Sequence, residues 1–415
     1  MIGTLRAAGS FSPAARVLFV NQLGINIGFY MLMPYLADHL TAQAGLAIWA
    51  AGLVLGLRNV SQQGMFLIGG TMADRLGYRP LIMAGCALRT VAFAMFALSV
   101  ALPAMITAAV LTGFAGALFN PAARAYLAHE AGERKVEAFA LFNVFYQTGI
   151  LIGPLIGIAL INLDFRVMCL TAAAVFAALT ALQWRHLPPR TGAAAGSGAV
   201  LADWREALGN RPFSRFAVTM FAYYALSYQI YLGLPLEVRR LTGSEAGVPV
   251  LYVISALLGI FAQLPVTTWC ERRWQPAQAM SAGLALMGLS FGLLIPAGRL
   301  SGPVGMVLVV ACVTVLTLGT LLVFPFEMAT IARLAGDRLI GTYYGLYNLI
   351  SGIGILIGNL LVGLSLDIAN GTGSDGLPWL LLVLAGLGSA YGMHLLHRGG
   401  RLTDQAHAQP LTHKP

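Results

Sequence analysis

Two arginines stand inside long apolar runs. Arg58 lies in "LVLGLRNVSQQGMFLIGG" (53–70) and Arg89 in "LIMAGCALRTVAFAMFAL" (81–98). A guanidinium stays charged at any ordinary pH. In an apolar medium each one needs water, a carbonyl or an anion. No Asp or Glu lies at a matching depth in the first half of the chain. Three chemistries stay open: hydration, bonding to backbone carbonyls, or holding an anionic or chelating group of a ligand. Amides and phenols in other apolar runs add uncharged hydrogen-bonding groups: Asn21, Gln22 and Asn26, Gln62 and Gln63, Tyr146 and Tyr347. The stretch "YYALSYQIYLG" holds Tyr223, Tyr224, Tyr228 and Tyr231. On one helix Tyr224, Tyr228 and Tyr231 share a face. That face suits an amphipathic ligand, or equally packing and an interfacial belt. The carboxylates placed to carry a coupling proton are Asp38 beside His39, Glu237 and Glu327, all near the ends of apolar runs. Asp38 is the first choice among them.

This is binding chemistry, not bond-making chemistry. The chain has no phosphate-binding loop, no His/Asp/Glu metal spacing and no nucleophile motif. No enzyme activity, cofactor or metal is expected. Cys86, Cys169, Cys270 and Cys312 lie far apart in apolar runs and read as packing residues.

The elements that position these groups follow from composition. Of 415 residues 58% are apolar and only 10% charged, and the mean hydropathy is +0.76. A water-soluble chain carries about 25% charge, so lipid is the expected solvent. Because a spanning helix needs about 20 apolar residues, the chain reads as twelve spans. They lie near 17–37, 49–72, 80–101, 104–126, 138–161, 167–186, 214–235, 247–270, 277–297, 303–325, 343–366 and 377–396. With the N-terminus inside, nineteen of the 25 Lys and Arg fall in cytoplasmic segments, four fall outside and two within spans. That bias places both termini in the cytoplasm. The net charge of +9 forms no single patch and points to no nucleic acid.

The division is a bundle over 1–186, a cytoplasmic linker over 187–213, a second bundle over 214–397 and a tail over 398–415. In the linker, "PPRTGAAAGSGA" reads as flexible and "DWREALGNR" as a short surface helix. The two halves look like copies. "GILIGPLIG" at 149–157 returns as "GILIGNLLVG" at 354–363. Pro121, Gly132 and Arg134 match Pro325, Gly336 and Arg338 at one offset. Six spans plus six in parallel repeat make a transporter architecture with a site between halves.

The stretch "GGTMADRLGYRP" (69–80) now carries a resemblance. Gly70, Asp74, Arg75, Gly77 and Arg79 match the loop 2–3 motif of the major facilitator superfamily, with Tyr78 where a basic residue is common. "TTWCERRW" keeps Glu271 and Arg272 at the equivalent place in the second half. The resemblance implies an all-α polytopic fold of two six-helix bundles related by a pseudo-two-fold axis. It also implies that these charges gate the cytoplasmic side. In physical terms, glycine serves a close approach or a positive φ, and the carboxylate can face a helix N-terminus or pair with an Arg. Arg124 for Asp74 and Glu327 for Arg272 are the expected partners. Gly149, Gly153, Pro154 and Gly157 resemble the superfamily's span 5 motif of exporters and antiporters. "GLRNVSQQG" followed by "GGTMADRLG" and Arg89 is similar to its MdtH-like multidrug branch. Span 4 departs from many drug–proton antiporters, with Ala109 where an arginine would precede Gly113.

The expectation is a monomeric, proton-driven exporter of amphipathic small molecules, either drugs or an endogenous product such as a siderophore, in the bacterial cytoplasmic (inner) membrane. Its partners are the substrate, the proton and membrane lipid. Uptake of a small organic anion by symport, or a non-transporting membrane sensor, are the alternatives.

Overall fold

The computed structural model describes residues 2–40, 48–99, 101–161, 163–190, 200–243, 247–296, 302–336, 338–372 and 376–399. Every regular element among them is helical. In chain order these are α1 (Ile2–Gly9), α2 (Pro13–Asp38), α3 (Ile48–Leu76), α4 (Tyr78–Leu98), α5 (Leu102–Ala131), α6 (Lys135–Ile161) and α7 (Phe165–His186). Then follow α8 (Val200–Gly209), α9 (Arg211–Thr219), α10 (Phe221–Ser227), α11 (Gly233–Thr242), α12 (Val248–Phe261), α13 (Gln263–Arg273), α14 (Pro276–Gly292), α15 (Pro303–Ala335), α16 (Ile340–Thr372) and α17 (Leu377–Arg398). Among the described residues, six stretches are long and apolar enough to cross a membrane, and Leu102–Leu160 carries two helices. The chain is a multi-pass membrane protein.

The residues divide into two compact units. The first holds 1–207, 259–264 and 336–349, and the second holds the rest. Lipid tails are as apolar as leucine, so helices in a membrane associate through close packing at small residues. In the first unit α4 packs on α5 and α7, and a Cβ at Gly85 of α4 would stand 2.8 Å from the Ala115 carbonyl oxygen of α5. In the second unit α14 packs on α15 and α17. There Gly283 meets Gly319 of α15, and Gly288 meets Gly386 of α17.

Local features repeat at the matched positions. Pro121 and Pro325 both lie inside long helices, α5 and α15. Gly132 and Gly336, which follow those helices, both take positive φ, +53° and +63°. Residues 203–209 of "DWREALGNR" lie in α8, a short helix as expected, and Asn210 caps α9, while 191–199 of the linker lies outside the described residues.

Two spans differ from the sequence reading. The expected single span 214–235 is a chain of short pieces: α9, α10, a 3-10 turn over Tyr228–Ile230, and α11. Pro235 has no N–H to give the Tyr231 carbonyl, and Gly233 lowers helix propensity beside it. Tyr224, Tyr228 and Tyr231 therefore do not share the face of one continuous helix. Their rings still form a ladder, with centroids 6.5 and 5.5 Å apart, and Tyr231 stacks on Tyr252 at 5.7 Å. The expected span 247–270 is bent by 54° between α12 and α13. Pro265 removes the hydrogen bond to the Phe261 carbonyl at the bend.

Candidate functional site

The motif at 69–80 folds as a turn between α3 and α4. Gly77 takes φ +94° and ψ 153°, a conformation open essentially to glycine alone. It lets α4 start one residue after α3 ends. Gly70, one helical turn before Asp74, packs directly on α16, and a Cβ there would collide with the Gly341 carbonyl oxygen. That close approach delivers the Asp74 carboxylate, fully buried, to the N-terminus of α16. Oδ1 accepts from the Gly341 N–H at 2.8 Å, and Oδ2 accepts from the Thr342 N–H at 2.6 Å and the Thr342 hydroxyl at 2.7 Å. These amides belong to the first turn of α16, where no intrahelical acceptor exists and the helix dipole favours negative charge.

Tyr78 completes the set. Its hydroxyl donates to Asp74 Oδ1 at 3.2 Å and lies 3.3 Å from His129 Nε2. The residue that departs from the common motif is thus a fourth donor to the carboxylate. Asp74 lies just beyond the 49–72 apolar stretch. Burial pushes its carboxyl up to about 6, against the four hydrogen bonds that lower it. The expected partner Arg124 is elsewhere: its Nη1 donates to Asn348 Oδ1 at 2.9 Å. With its two oxygens already taken by four donors, Asp74 leaves no room for a guanidinium.

The neighbouring charges bind the linker helix. Arg75 donates through Nε and Nη2 to Asp203 Oδ2 on α8, at 3.1 and 2.6 Å. Trp204 Nε1 donates to Thr71 Oγ1 at 2.8 Å. Arg338 pairs with Glu206 and lies 3.9 Å from Asp203. Arg79 Nη2 donates to the Trp184 carbonyl at 2.5 Å. In the second unit, Arg272 is exposed in the last turn of α13 and Glu271 precedes it, while Glu327 is fully buried on α15.

Arg58, Gln62 and Arg89 come together in the first unit. Arg58 Nη2 donates to Gln62 Oε1 at 2.6 Å and Nη1 to Asn59 Oδ1 at 2.6 Å. Both guanidiniums lie against Phe29 of α2, with their carbons 4.6 Å (Arg58) and 5.6 Å (Arg89) from its ring centre. Arg89 also lies 5.5 Å from the Phe176 ring of α7. Such cation–π contacts stabilise a charge away from water. Asn26, one turn before Phe29, is not in this cluster. It closes onto its own helix, Nδ2 donating to the Gln22 carbonyl at 2.6 Å, and its Cβ packs against Gly149.

The glycines of α6 form a track for α2. A Cβ at Gly149 would stand 2.6 Å from Asn26 Cβ, one at Gly153 2.9 Å from Tyr30 Cβ, and one at Gly157 would collide with the Met31 carbonyl oxygen. Tyr35 donates its hydroxyl to the Pro154 carbonyl at 2.8 Å. The matched positions of α16 do the same to α10 in the second unit. Gly354 packs on Phe221, Gly358 on Ala225, and Asn359, the counterpart of Pro154, lies 3.3 Å from Gln229 Nε2.

Other polar groups take separate places. Asn143 on α6 donates to Gln263 Oε1 at 2.6 Å, buried, beside a contact of Gly259 with Gln147. Tyr146 is half-buried and Tyr347 fully buried, both in the first unit, whereas Tyr224 and Tyr228 belong to the second. Asp38 ends α2, and its side chain lies outside the described residues. Glu237 is ion-paired with Arg240 at 2.6 Å. Phe29, Thr71, Asp203, Trp204 and Thr342 were missed by sequence reasoning. An acidic residue in the first turn of the amphipathic α8 was the one available signal among them.

Comparison with known proteins fits this geometry. The sequence profile of the Major Facilitator Superfamily matches residues 18–359. An uncharacterized MFS-type transporter of Mycobacterium tuberculosis is 47% identical over 392 residues, covering 93% of this chain and 94% of its own. The multidrug resistance protein MdtH of Photorhabdus laumondii is 33% identical over 389 residues, 91% of this chain and 92% of its own. Among solved structures, the human organic anion transporter MFSD10 superposes with a TM-score of 0.73 at 14% identity, covering 92% of this chain and 99% of that one. The Escherichia coli fucose:proton symporter FucP superposes at 0.72 and 13%, covering 92% and 98%. With the loop motif, the glycine track and the profile in agreement over most of its length, the chain belongs to the Major Facilitator Superfamily of transporters.

Proposed function

We propose that this transporter exports amphipathic small molecules against their gradient, driven by protons, through alternating access of two six-span halves. In this reading the chain crosses the membrane twelve times, acts as a monomer, and keeps both termini in the cytoplasm. The observation that carries the direction is the similarity, over nine-tenths of the chain, to relatives named multidrug resistance proteins. The α2–α6 glycine track, where Pro154 and three glycines set the packing, supports the same reading.

The Asp74–α16 contact is the proposed gate. It joins a residue of the first sequence half to residues of the second through hydrogen bonds that a shift of α16 would break together. Arg75, Asp203, Arg338 and Glu206 brace it through α8. Glu271, Arg272 and Glu327 are its proposed counterpart in the second half. Asp38 is the proposed carrier of the coupling proton, with Tyr224, Tyr228, Tyr146 and Tyr347 as proposed apolar contacts for substrate.

The test is accumulation of a panel of amphipathic dyes and drugs in cells with and without the protein, each with a protonophore control. Lower accumulation that the protonophore abolishes is expected. Faster uptake in cells carrying the protein would overturn the export reading.

A further inference from the structure

Asp74 is fully buried, and so is Tyr78 beside it. A carboxyl with no face toward water exchanges its proton through a neighbour that both gives and accepts one. Among the described residues, the groups hydrogen-bonded to Asp74 are the Gly341 and Thr342 amides, the Thr342 hydroxyl and the Tyr78 hydroxyl. The amides only donate. Each hydroxyl begins a chain, and the two chains end differently.

From Thr342 the next oxygen is the Thr71 hydroxyl, 3.5 Å away. Thr71 donates to the Leu67 carbonyl at 2.9 Å and accepts from Trp204 Nε1 at 2.8 Å. Neither a backbone carbonyl nor an indole N–H hands a proton on, so this chain is closed. From Tyr78 the next group is His129 Nε2 at 3.3 Å. His129 lies half-buried in the last turn of α5, and an imidazole takes up and releases protons near neutrality. With the Tyr78 proton directed at Asp74 Oδ1, the phenol oxygen accepts from the Nε2–H tautomer of His129. The charged groups about this end of α5 are Glu130, Arg190 and Arg79, which act on the neighbouring Tyr126. Glu130 accepts from Ser12 at 2.6 Å and pairs with Arg190 at 3.3 Å, while Arg79 donates to the Trp184 carbonyl.

We propose that His129 and Tyr78 form the proton path that loads and unloads Asp74. The imidazolium Nε2–H of His129 gives its proton to the Tyr78 oxygen while Tyr78 gives its own to Asp74 Oδ1. One N–H and one O–H bond break and two O–H bonds form. Imidazolium plus carboxylate become imidazole plus carboxylic acid, and Tyr78 ends unchanged. Unloading is the reverse. The path rests on the reading of the Asp74–α16 contact as a gate, and it lets that contact follow the proton supply. It also gives a role to Tyr78, the residue that departs from the common motif.

The test uses the full chain in nanodiscs and the infrared carbonyl band of the Asp74 carboxyl, identified as the band missing in Asp74→Asn. Its rise is timed after a jump from above to below about pH 6. Tyr78→Phe and His129→Ala are each expected to slow it about 100-fold, the low end of what a positioned proton donor supplies. Free imidazole should restore the rate in His129→Ala, which a purely structural role for His129 would not allow. Loading at the wild-type rate in either variant, slowing in His129→Ala that imidazole leaves unrelieved, or no Asp74 band that responds to the jump overturns the proposal. Wild-type loading in both variants, with protection of 339–345 lost in Asp74→Ala, would sink the path and leave the gate standing. Slowed, imidazole-rescued loading with that protection unchanged would do the reverse.

Discussion

Replacing Asp74 with alanine removes the acceptor of four donors at once. The Gly341 and Thr342 amides have no intrahelical partner. A buried donor left unpaired costs about 1–3 kcal/mol, so two cost about 2–6 kcal/mol. Water entering the vacated space brings the loss toward the lower figure. At about 1.4 kcal/mol per factor of ten, even 2 kcal/mol speeds opening of this segment about 30-fold. Hydrogen exchange read by mass spectrometry on peptides covering 339–345 measures it in the intact protein. Asp74→Asn keeps one acceptor oxygen, so its loss should fall between those of the wild type and Asp74→Ala. Unchanged protection of Gly341 and Thr342 in Asp74→Ala would refute the reasoning.

The same contact has a pH sign. Its carboxyl stands at about 6 against 3.8 for the free group, because burial outweighs the donors. The joined form therefore binds the proton more tightly than a form with Asp74 in water, and acid favours it. That contribution is complete below 3.8, declines as the pH rises toward 6 and is lost above. The window is worth about 3 kcal/mol. After correction for intrinsic exchange, protection of 339–345 should be greater near pH 5 than near pH 7.5.

Gly77→Ala forces a side chain into φ +94°, at about 1–3 kcal/mol, and should lower the melting temperature of the purified protein without altering ligand preference. Asn143→Leu or Gln263→Leu alone strands a buried amide at about 1–3 kcal/mol. The double change should cost less than the sum of the two in thermal unfolding, and strict additivity would argue against the 2.6 Å bond. Gly149→Val should block packing of α2 on α6 and abolish export. Retained export would show that the 2.6 Å approach to Asn26 is relaxed at little cost.

Backbone constraints were legible in the sequence. A carboxylate, two arginines and two glycines compressed between apolar runs pointed to a turn that needs glycine for close approach or positive φ; Gly70 serves the first and Gly77 the second. Gly149, Gly153 and Gly157 announced close packing by their spacing. A helix N-terminus was one of two sequence readings for Asp74, the other being a pair with Arg124, and nothing local named α16, which lies 267 residues onward. Arg124 illustrates the same limit: its partner, Asn348, is chosen by how two helices are rotated about their axes. The breaks near Pro235 and Pro265 were missed because hydropathy counts apolar residues and is blind to a missing N–H. Arg58 and Arg89 were singled out by charge alone. Their shared aromatic neighbour, Phe29, looked like any other core residue of α2.

The most direct test of the account is whether the α3–α16 contact makes and breaks during transport. The Thr71 and Thr342 hydroxyl oxygens lie 3.5 Å apart, so cysteines at both positions are within reach of a disulfide, and Asp74 keeps its two backbone donors. With the protein in proteoliposomes, Thr71→Cys/Thr342→Cys should crosslink readily at rest. It should crosslink several-fold less once a transported compound and a proton gradient are supplied. The locked form should not transport until it is reduced. Equal crosslinking in both conditions, or full transport by the locked form, would contradict the account.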